Sequence, residues 1–169
     1  KIKRVIWRMV PSAGNRRALL ERGDADISYE LPNKDFVELK DAGKLNIIST
    51  PFSNGCQYIG MNVTKPPFDN IKVRQAVAYA LPYQKIMDAV LFGLGKPLFG
   101  GPEKTAEAAW PVAHKFNTDI AKAKALMAEA GYPNGFETTL SFDLGFATVN
   151  EPLCVLVQES LGQIGIKVT

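Results

Sequence analysis

Histidine and cysteine are scarce in this chain. Among the 169 residues there are one histidine, His114, and two cysteines, Cys56 and Cys154. A structural zinc site takes about four His or Cys ligands at short spacings, so no metal site is expected. Two cysteines so far apart in sequence form no disulfide framework, and we expect both to be buried free thiols. Their number leaves the redox compartment undetermined.

Long apolar runs and blocks of like charge are also missing. No stretch approaches the roughly 20 apolar residues that cross a bilayer, and the start at Lys1 lacks a signal-peptide pattern. The sequence therefore predicts a soluble chain, which would already be processed or trimmed if it is exported. The net charge of +3 comes from 20 basic and 17 acidic residues that are interspersed along the chain. Because there is no block of basic residues to bind a phosphate backbone, nucleic acid is not favoured as a partner.

The common catalytic and cofactor motifs are absent from the sequence. There is no Gly-x-Ser-x-Gly elbow, no phosphate-binding Gly-Lys-Ser/Thr loop and no His-Glu-x-x-His. Gly93 and Gly95 begin like a dinucleotide fingerprint, but Leu98 occupies the place of the third glycine. A solitary loop histidine such as His114 is usually a surface residue. These absences disfavour a hydrolase and predict no cofactor.

Helical periodicity and capping residues predict several helices. Helices are expected near residues 15–21, 33–42, 70–81, 83–92, 118–130 and 150–164. Gly23, Gly43 and Gly131 follow three of them as helix stops. The expected N-caps are Asn33, either Asp69 or Asn70, and Thr118.

Alternating or short apolar runs predict strands between these helices. The runs lie at residues 5–10, 26–29, 45–49, 56–63 and 137–142, so the first half of the chain resembles a repeated β-α-β unit. Residues 93–116 show little periodicity and are interpreted as a long loop that is either functional or lies over the surface of a partner. Residues 166–169 resemble the start of a strand that has no partner left in the chain, which suggests that a larger protein has been cut there.

Four ordered stretches carry a family resemblance. They are LLERGDADI at 19–27, YIGMN at 58–62 followed by PPFDNIKVRQA at 66–76, DIAKAKALMAEAGYPNG at 119–135, and QESLGQIGIKV at 158–168. In this order they resemble the bacterial extracellular solute-binding proteins of family five, the substrate-binding components of peptide- and nickel-type ABC importers. Pro82 stands where the family pattern has an acidic residue, a departure that concerns helix geometry.

The resemblance implies a fold and a domain division. It implies an α/β protein of the type II periplasmic-binding-protein class, whose two lobes contain mixed β-sheets flanked by helices. This chain would be an internal portion of such a protein. Residues 1–57 would belong to the first lobe, residues 58–62 would cross the hinge, and residues 63–169 would belong to the second lobe.

The function that the resemblance implies is solute capture without catalysis. The expected ligand is a di- or oligopeptide, with a nickel chelate, an opine or an oligosaccharide left open. The expected partner is an ABC permease in the inner membrane. The expected location is the periplasm, or the outer face of the membrane as a lipoprotein in a Gram-positive source. The alternative is an α/β enzyme domain whose active residues lie outside this chain or include Glu30 and His114.

By the same resemblance, specific positions face the solute. The residues after the "D-I" segment are Tyr29 and Glu30, and those before the hinge asparagine are Asn54, Cys56 and Tyr58. A carboxylate, an amide and a phenol can match the backbone donors and acceptors of an extended peptide. Gly60 and Asn62 are the expected hinge residues, with Gly60 small because backbone or ligand passes close to it and Asn62 binding neighbouring backbone groups.

Overall fold

A computed structural model describes residues 1–48, 56–95 and 116–169, and the backbone alone of strand residues 99–100 and 110–113. The chain divides into two compact units, Lys1–Ile48 and Ser49–Thr169. In the described part of the chain, no helix combines the length and apolar character that a membrane crossing requires.

The first unit contains two helices, α1 (Ala13–Arg22) and α2 (Asn33–Ala42). Ser12 caps α1 through its Oγ, which accepts from the Asn15 amide at 3.3 Å, and Gly23 ends it with a left-handed φ of 77°. The N-cap of α2 is Pro32 and not Asn33 as predicted, because Asn33 already has helical geometry. Both helices and both glycine stops are confirmed.

Arg17 joins the two helices of the first unit. Its guanidinium lies 2.7 Å from the Asp35 carboxylate and 2.6 Å from that of Glu38 on α2, and 3.1 Å from Glu21 on its own helix. Hydrogen bonding by Arg17 lowers the pKa of the Glu38 carboxyl, and the same contacts, with Glu38 the largest, raise the pKa of Arg17. A charge network therefore links these two helices.

The strands predicted in the first unit are not formed. Residues 1–11, 25–32 and 46–48 are extended or irregular and have no strand pairing among the described residues. Trp7 is 76% exposed and Ile27 is 87% exposed, whereas strand residues of an α/β sheet are covered. A strand exists only when a neighbouring strand satisfies its backbone groups, and the described part of this unit supplies none.

In its described residues the second unit has four α-helices, and a short 3-10 helix (Leu144–Phe146) precedes the last of them. The four α-helices are α3 (Ile71–Ala80), the single turn α4 (Tyr83–Lys85) continued by a π-helical turn (Ile86–Val90), α5 (Ile120–Glu129) and α6 (Ala147–Gly162). Asn70 caps α3 as predicted, and its Oδ1 accepts from the Lys72 amide at 2.9 Å. Pro82 lies between α3 and α4 and precedes the first residue of α4.

The N-cap of α5 differs from the prediction. Asp119 caps the helix, with its Oδ1 accepting from the Lys122 amide at 2.9 Å. The Thr118 hydroxyl instead donates to the carbonyl of Leu81 at 2.6 Å. Sequence spacing does not separate the two residues, because either can act as a cap.

Two parallel strand pairs are present in the described part of the second unit. β1 (Phe99–Gly100) pairs with β2 (Trp110–Ala113) inside the segment that we interpreted as a loop, so that interpretation is wrong in part. β3 (Phe136–Thr138) pairs with β4 (Ile166–Val168), with Phe136 opposite Ile166. The expectation that the final strand has no partner is therefore also wrong, because α6 returns the chain alongside β3.

One apolar core holds the second unit together. α3 packs chiefly on α5, α6 packs on β4, and all four elements contribute residues to the core. The buried members of this core are Ala76, Val77, Ala80, Ala123, Met127, Val157, Leu161, Ile164, Ile166 and Val168. This core supports one face of the extended segment at residues 56–62.

Candidate functional site

The residues predicted to face a solute in the first unit lie at an exposed aromatic corner. Tyr29 is 61% exposed, and its ring centroid lies 6.0 Å from that of Trp7 at an interplanar angle of 51°. Glu30 follows with an exposed side chain and a φ of 57°, in the left-handed region that residues other than glycine seldom adopt. The corner thus contains two neighbouring aromatic rings, and an exposed acidic residue follows one of them in sequence.

Arg16 holds the backbone at this corner. One guanidinium nitrogen donates at 2.7 Å to the carbonyls of both Val10 and Pro11, and the other donates at 2.9 Å to the carbonyl of Glu30. A single charged side chain on α1 therefore ties together the two extended segments that flank the helix. Such anchoring offsets the cost of the left-handed backbone at Glu30, about 1–3 kcal/mol for a strained residue of this kind.

The second group of predicted residues lies on the extended segment 56–62. Cys56 is exposed and Tyr58 is 82% exposed, whereas Ile59 and Met61 pack against the core of the second unit. The alternation predicted from the sequence is therefore confirmed. The predicted strand is not, because the described residues provide no neighbouring strand that pairs with this segment.

Asn62 ends the extended segment with a side-chain turn. Its Oδ1 accepts from the Thr64 amide at 3.1 Å and from the Thr64 hydroxyl at 2.7 Å. The expectation that Asn62 binds neighbouring backbone groups is confirmed. Thr64 in turn leads into the Pro66–Pro67 turn that precedes α3.

We expected close neighbours around Gly60, but the space beside it is open. A Cβ placed on Gly60 would meet only the ring of Tyr58, at 3.8 Å, which is an ordinary van der Waals distance. Within the described residues no backbone passes close to this glycine. Any close approach at Gly60 must therefore come from a ligand or from polypeptide beyond these residues.

An apolar cavity of about 280 Å³ lies between the extended segment and the β3–β4 sheet. Its lining is Ile59, Gly60, Met61, Asn62, Phe68, Val77, Thr138, Thr139, Leu140, Val157, Leu161, Ile166 and Val168. None of these side chains titrates, so the cavity holds no acid–base pair. It can accept apolar groups and offers a few hydroxyl and amide contacts at its edge.

A second, more open cavity of about 370 Å³ lies in the first unit beside α1. Arg8 and Arg22 contribute guanidinium groups to its lining, together with the polar Asn15, and no carboxylate lines it. Arg22 is paired with Asp24 at 2.9 Å. The arrangement suits hydrogen bonding to an acceptor and does not provide a general base.

None of the ionisable groups whose pKa is shifted belongs to the lining of either cavity. Burial raises the pKa of the Tyr83 phenol and of the Cys154 thiol. In the described part of the chain, no cluster of three or more His, Cys, Asp or Glu residues could hold a metal ion. The prediction of two buried thiols is wrong: Cys56 is exposed and Cys154 is half-buried on α6.

The structure brings some predicted residues together and leaves others out. Tyr29 and Glu30 are neighbours at one corner, and Cys56 and Tyr58 lie on one extended segment of the other unit. Asn54 and His114 lie outside the described residues. Sequence reasoning missed Arg16 and Trp7. The only signal for Trp7, which lies six residues before the start of α1, was its place in an alternating apolar run.

Comparisons with known proteins agree on the class of protein. The family model of bacterial extracellular solute-binding proteins, family 5 (middle), matches residues 1–169. The glutathione-binding protein GsiB of Pectobacterium atrosepticum is 37% identical over 168 residues, which are 99% of this chain and 32% of that protein. The chain thus spans about a third of the length of the curated relatives it matches.

Solved structures agree on the fold. AgaA from A. tumefacien R10, in complex with agropinic acid, has a TM-score of 0.66 at 30% identity over 93% of this chain and 32% of its own. The periplasmic binding protein DppA from Helicobacter pylori has a TM-score of 0.73 at 24% identity over 96% of this chain and 31% of its own. The fold is therefore that of a periplasmic binding protein, and the chain belongs to the bacterial extracellular solute-binding proteins, family 5.

Proposed function

We propose that the protein carrying this chain is the substrate-binding component of an ABC importer and captures a small peptide or peptide-like solute. The observation that carries the proposal is the family match along the whole chain, residues 1–169. The glutathione-binding relative, at 37% identity, supports a short peptide as the ligand class. AgaA, which is 30% identical to this chain, was solved in complex with agropinic acid, so an opine is the second candidate ligand class.

Solute capture needs no catalytic residue, and the described cavities agree with that requirement. The cavity in the second unit is lined by apolar and neutral polar groups, and the one in the first unit lacks a carboxylate. Binding clefts combine apolar walls with a few convergent polar groups. The alternative of an enzyme domain with Glu30 as a base is less well supported, because no partner acid or base accompanies Glu30 in the described first unit.

The proposed mechanism is closure of two lobes over the solute, with the closed form recognised by a membrane permease. Residues 1–57 would belong to one lobe, residues 58–62 to the hinge, and residues 63–169 to the other. The protein would act in the periplasm, or outside the membrane as an anchored lipoprotein. In the segment at residues 58–62, apolar side chains face the core on one side and Tyr58 is exposed on the other. This arrangement suits a segment that is held by one lobe and remains accessible.

The proposed solute contacts are Tyr29, Glu30, Asn54, Cys56 and Tyr58. The Glu30 carboxylate would accept hydrogen bonds from backbone donors of the peptide, and the exposed ring of Tyr29 would cover apolar parts of the ligand. Anchoring of the Glu30 backbone by Arg16 supports this assignment, because a preorganised contact loses less entropy on binding.

The decisive experiment begins with the native solute. Full-length protein is purified without denaturation, and the small molecules released by heating are identified by mass spectrometry. A peptide is expected, and an opine would move the protein to the second ligand class. Isothermal titration of the emptied protein with reduced glutathione, Ala-Ala and Leu-Leu then measures affinity. Absence of binding to all three peptides, with no peptide released, would refute the proposal.

A matched pair of variants tests the role of Glu30. Glu30→Gln is expected to weaken peptide binding on the order of 10-fold, because a charge-assisted hydrogen bond becomes a neutral one. Glu159→Gln removes another exposed carboxylate, on α6, and is expected to leave affinity unchanged. Equal behaviour of the two variants would remove Glu30 from the site.

A further inference from the structure

Two adjacent arginines on α1 make contacts of different kinds. Arg16 donates to three backbone carbonyls, those of Val10, Pro11 and Glu30. Arg17 pairs instead with three carboxylate side chains of α1 and α2. A hydrogen bond to a carbonyl fixes the course of the main chain, whereas an ion pair between side chains does so only indirectly. Arg16 therefore acts directly on backbone geometry.

The carbonyls that Arg16 holds belong to the two extended segments of the first unit, residues 1–11 and 25–32. These segments have no strand pairing in the described part of the chain. The donor-to-acceptor distances of 2.7, 2.7 and 2.9 Å are those of charge-assisted hydrogen bonds. The guanidinium fork of Arg16 thus holds the end of one extended segment to the end of the other.

Two unfavourable features coincide at this fork. Glu30 has a left-handed φ of 57° although it is not a glycine. The Arg16 Nε is buried and has no hydrogen-bond partner among the residues that the structure describes. Backbone strain and unsatisfied buried donors both cost stability, and they persist where the surrounding structure imposes them, which is often at a functional site.

The left-handed backbone affects where two neighbouring side chains point. In a regular extended segment, successive side chains lie on opposite faces, so one of each pair is turned away from solvent when the other is exposed. Tyr29 is 61% exposed, and the next side chain, that of Glu30, is also exposed. Release of the Glu30 carbonyl would let this residue relax to a negative φ and would change both directions.

We propose that Arg16 is a positioning residue for solute binding. Its guanidinium fork fixes the backbone of Glu30, and through that backbone it sets the directions of the Tyr29 and Glu30 side chains without touching the solute. This inference rests on the proposed function, in which those two side chains contact the solute. Affinity then depends on a residue outside the contact surface, because a preorganised contact loses less entropy on binding.

The test compares the same substitution at the two adjacent arginines in the full-length protein. Arg16→Lys keeps the positive charge, but a single ammonium group cannot reach all three carbonyls in place of the fork. It is expected to weaken binding on the order of 10-fold in isothermal titrations with reduced glutathione, Ala-Ala and Leu-Leu. Arg17→Lys alters the ion pairs between α1 and α2 and is expected to change affinity by less than about twofold.

A double-mutant cycle separates positioning from a general structural role. Arg16→Lys is repeated in a protein that already carries Tyr29→Ala and Glu30→Gln. There it should change affinity by less than about twofold, because the side chains through which Arg16 acts are gone. A loss of affinity by the same factor in both backgrounds, or a lobe that no longer folds in urea titrations of Arg16→Lys, would show a structural role and overturn the inference.

A crystal structure of the ligand-free, full-length wild type provides a check that needs no variant. Arg16 should hold the Val10, Pro11 and Glu30 carbonyls before any solute is bound, and contacts that form only after binding would overturn the inference. The outcomes also distinguish this inference from the function on which it rests. Wild-type protein that binds none of the three probes and releases no peptide refutes both. Wild-type protein that binds them, with unchanged affinity in Arg16→Lys, refutes the role of Arg16 alone.

Discussion

Two hydroxyl groups donate to carbonyls at the carboxyl end of α3, one in the core and one at the surface. Ser160 on α6 is 4% exposed, and its Oγ donates to the Ala80 carbonyl at 2.5 Å. Thr118 donates to the next carbonyl, that of Leu81, at 2.6 Å from an exposed position. Removing each hydroxyl in turn therefore shows how much a hydroxyl-to-carbonyl hydrogen bond contributes to stability when it is buried and when it is exposed.

We expect the two removals to differ severalfold in their effect on the free energy of unfolding. Ser160→Ala leaves the carbonyl of the fully buried Ala80 without this donor where water does not reach, which costs about 1–3 kcal/mol. Thr118→Val keeps the side-chain shape, and water replaces the lost donor, so the cost is below about 0.5 kcal/mol. For a chain of this size about 1 kcal/mol corresponds to roughly 2–4 °C in Tm.

Urea unfolding followed by far-ultraviolet circular dichroism measures both variants against the wild type. The reasoning requires a lower midpoint for Ser160→Ala with an unchanged slope, and a midpoint near the wild-type value for Thr118→Val. A Ser160→Ala variant no less stable than Thr118→Val would refute the idea that this buried bond ties α6 to α3.

Three further predictions use the glycines and one ion pair. Gly60→Val should cost less than about 0.5 kcal/mol of stability, because the space beside it is open, yet lower ligand affinity in the full-length protein; unchanged calorimetric affinity would remove the hinge assignment. Gly135→Ala should lower the free energy of unfolding by more than about 2 kcal/mol, because the new Cβ would clash with the backbone of the turn before β4. Gly131→Ala meets open space and should lower it by about 1 kcal/mol, the cost of a left-handed backbone at alanine. Thermal melts of the two variants measure the difference. Arg17 lowers the pKa of Glu38 from its usual 4.5, so this pair stabilises the fold above that pH and the contribution is lost as pH falls through the lowered value. Urea midpoints between about pH 5 and pH 3 should therefore fall less steeply in Glu38→Gln than in the wild type, and parallel curves would contradict the assignment.

The helices of this protein could be predicted because their signals are local. Gly23 and Gly43 have the left-handed backbone that ends a helix, and Asn70 caps α3 through its own side chain. Each signal acts within about one helical turn of the residue that carries it. The misplaced caps at Asn33 and Thr118 shifted helix boundaries by a residue or two and left the helices themselves correct.

The strands and the geometry of the site depended on contacts between distant residues. The alternating run at residues 5–10 stays unpaired in the described first unit, whereas the short run at 166–168 becomes β4 because β3 lies alongside it. Resemblance to a family pointed to Tyr29 and Glu30, but the three carbonyls held by Arg16 and the aromatic neighbour of Tyr29 could not be read from spacing. The sequence by itself determined where the chain turns helical and which family it belongs to, since both follow from local or ordered patterns. Only the tertiary structure decided which extended segments pair and which side chains meet, because hydrogen bonds between strands and contacts at a site join residues that lie far apart in the chain.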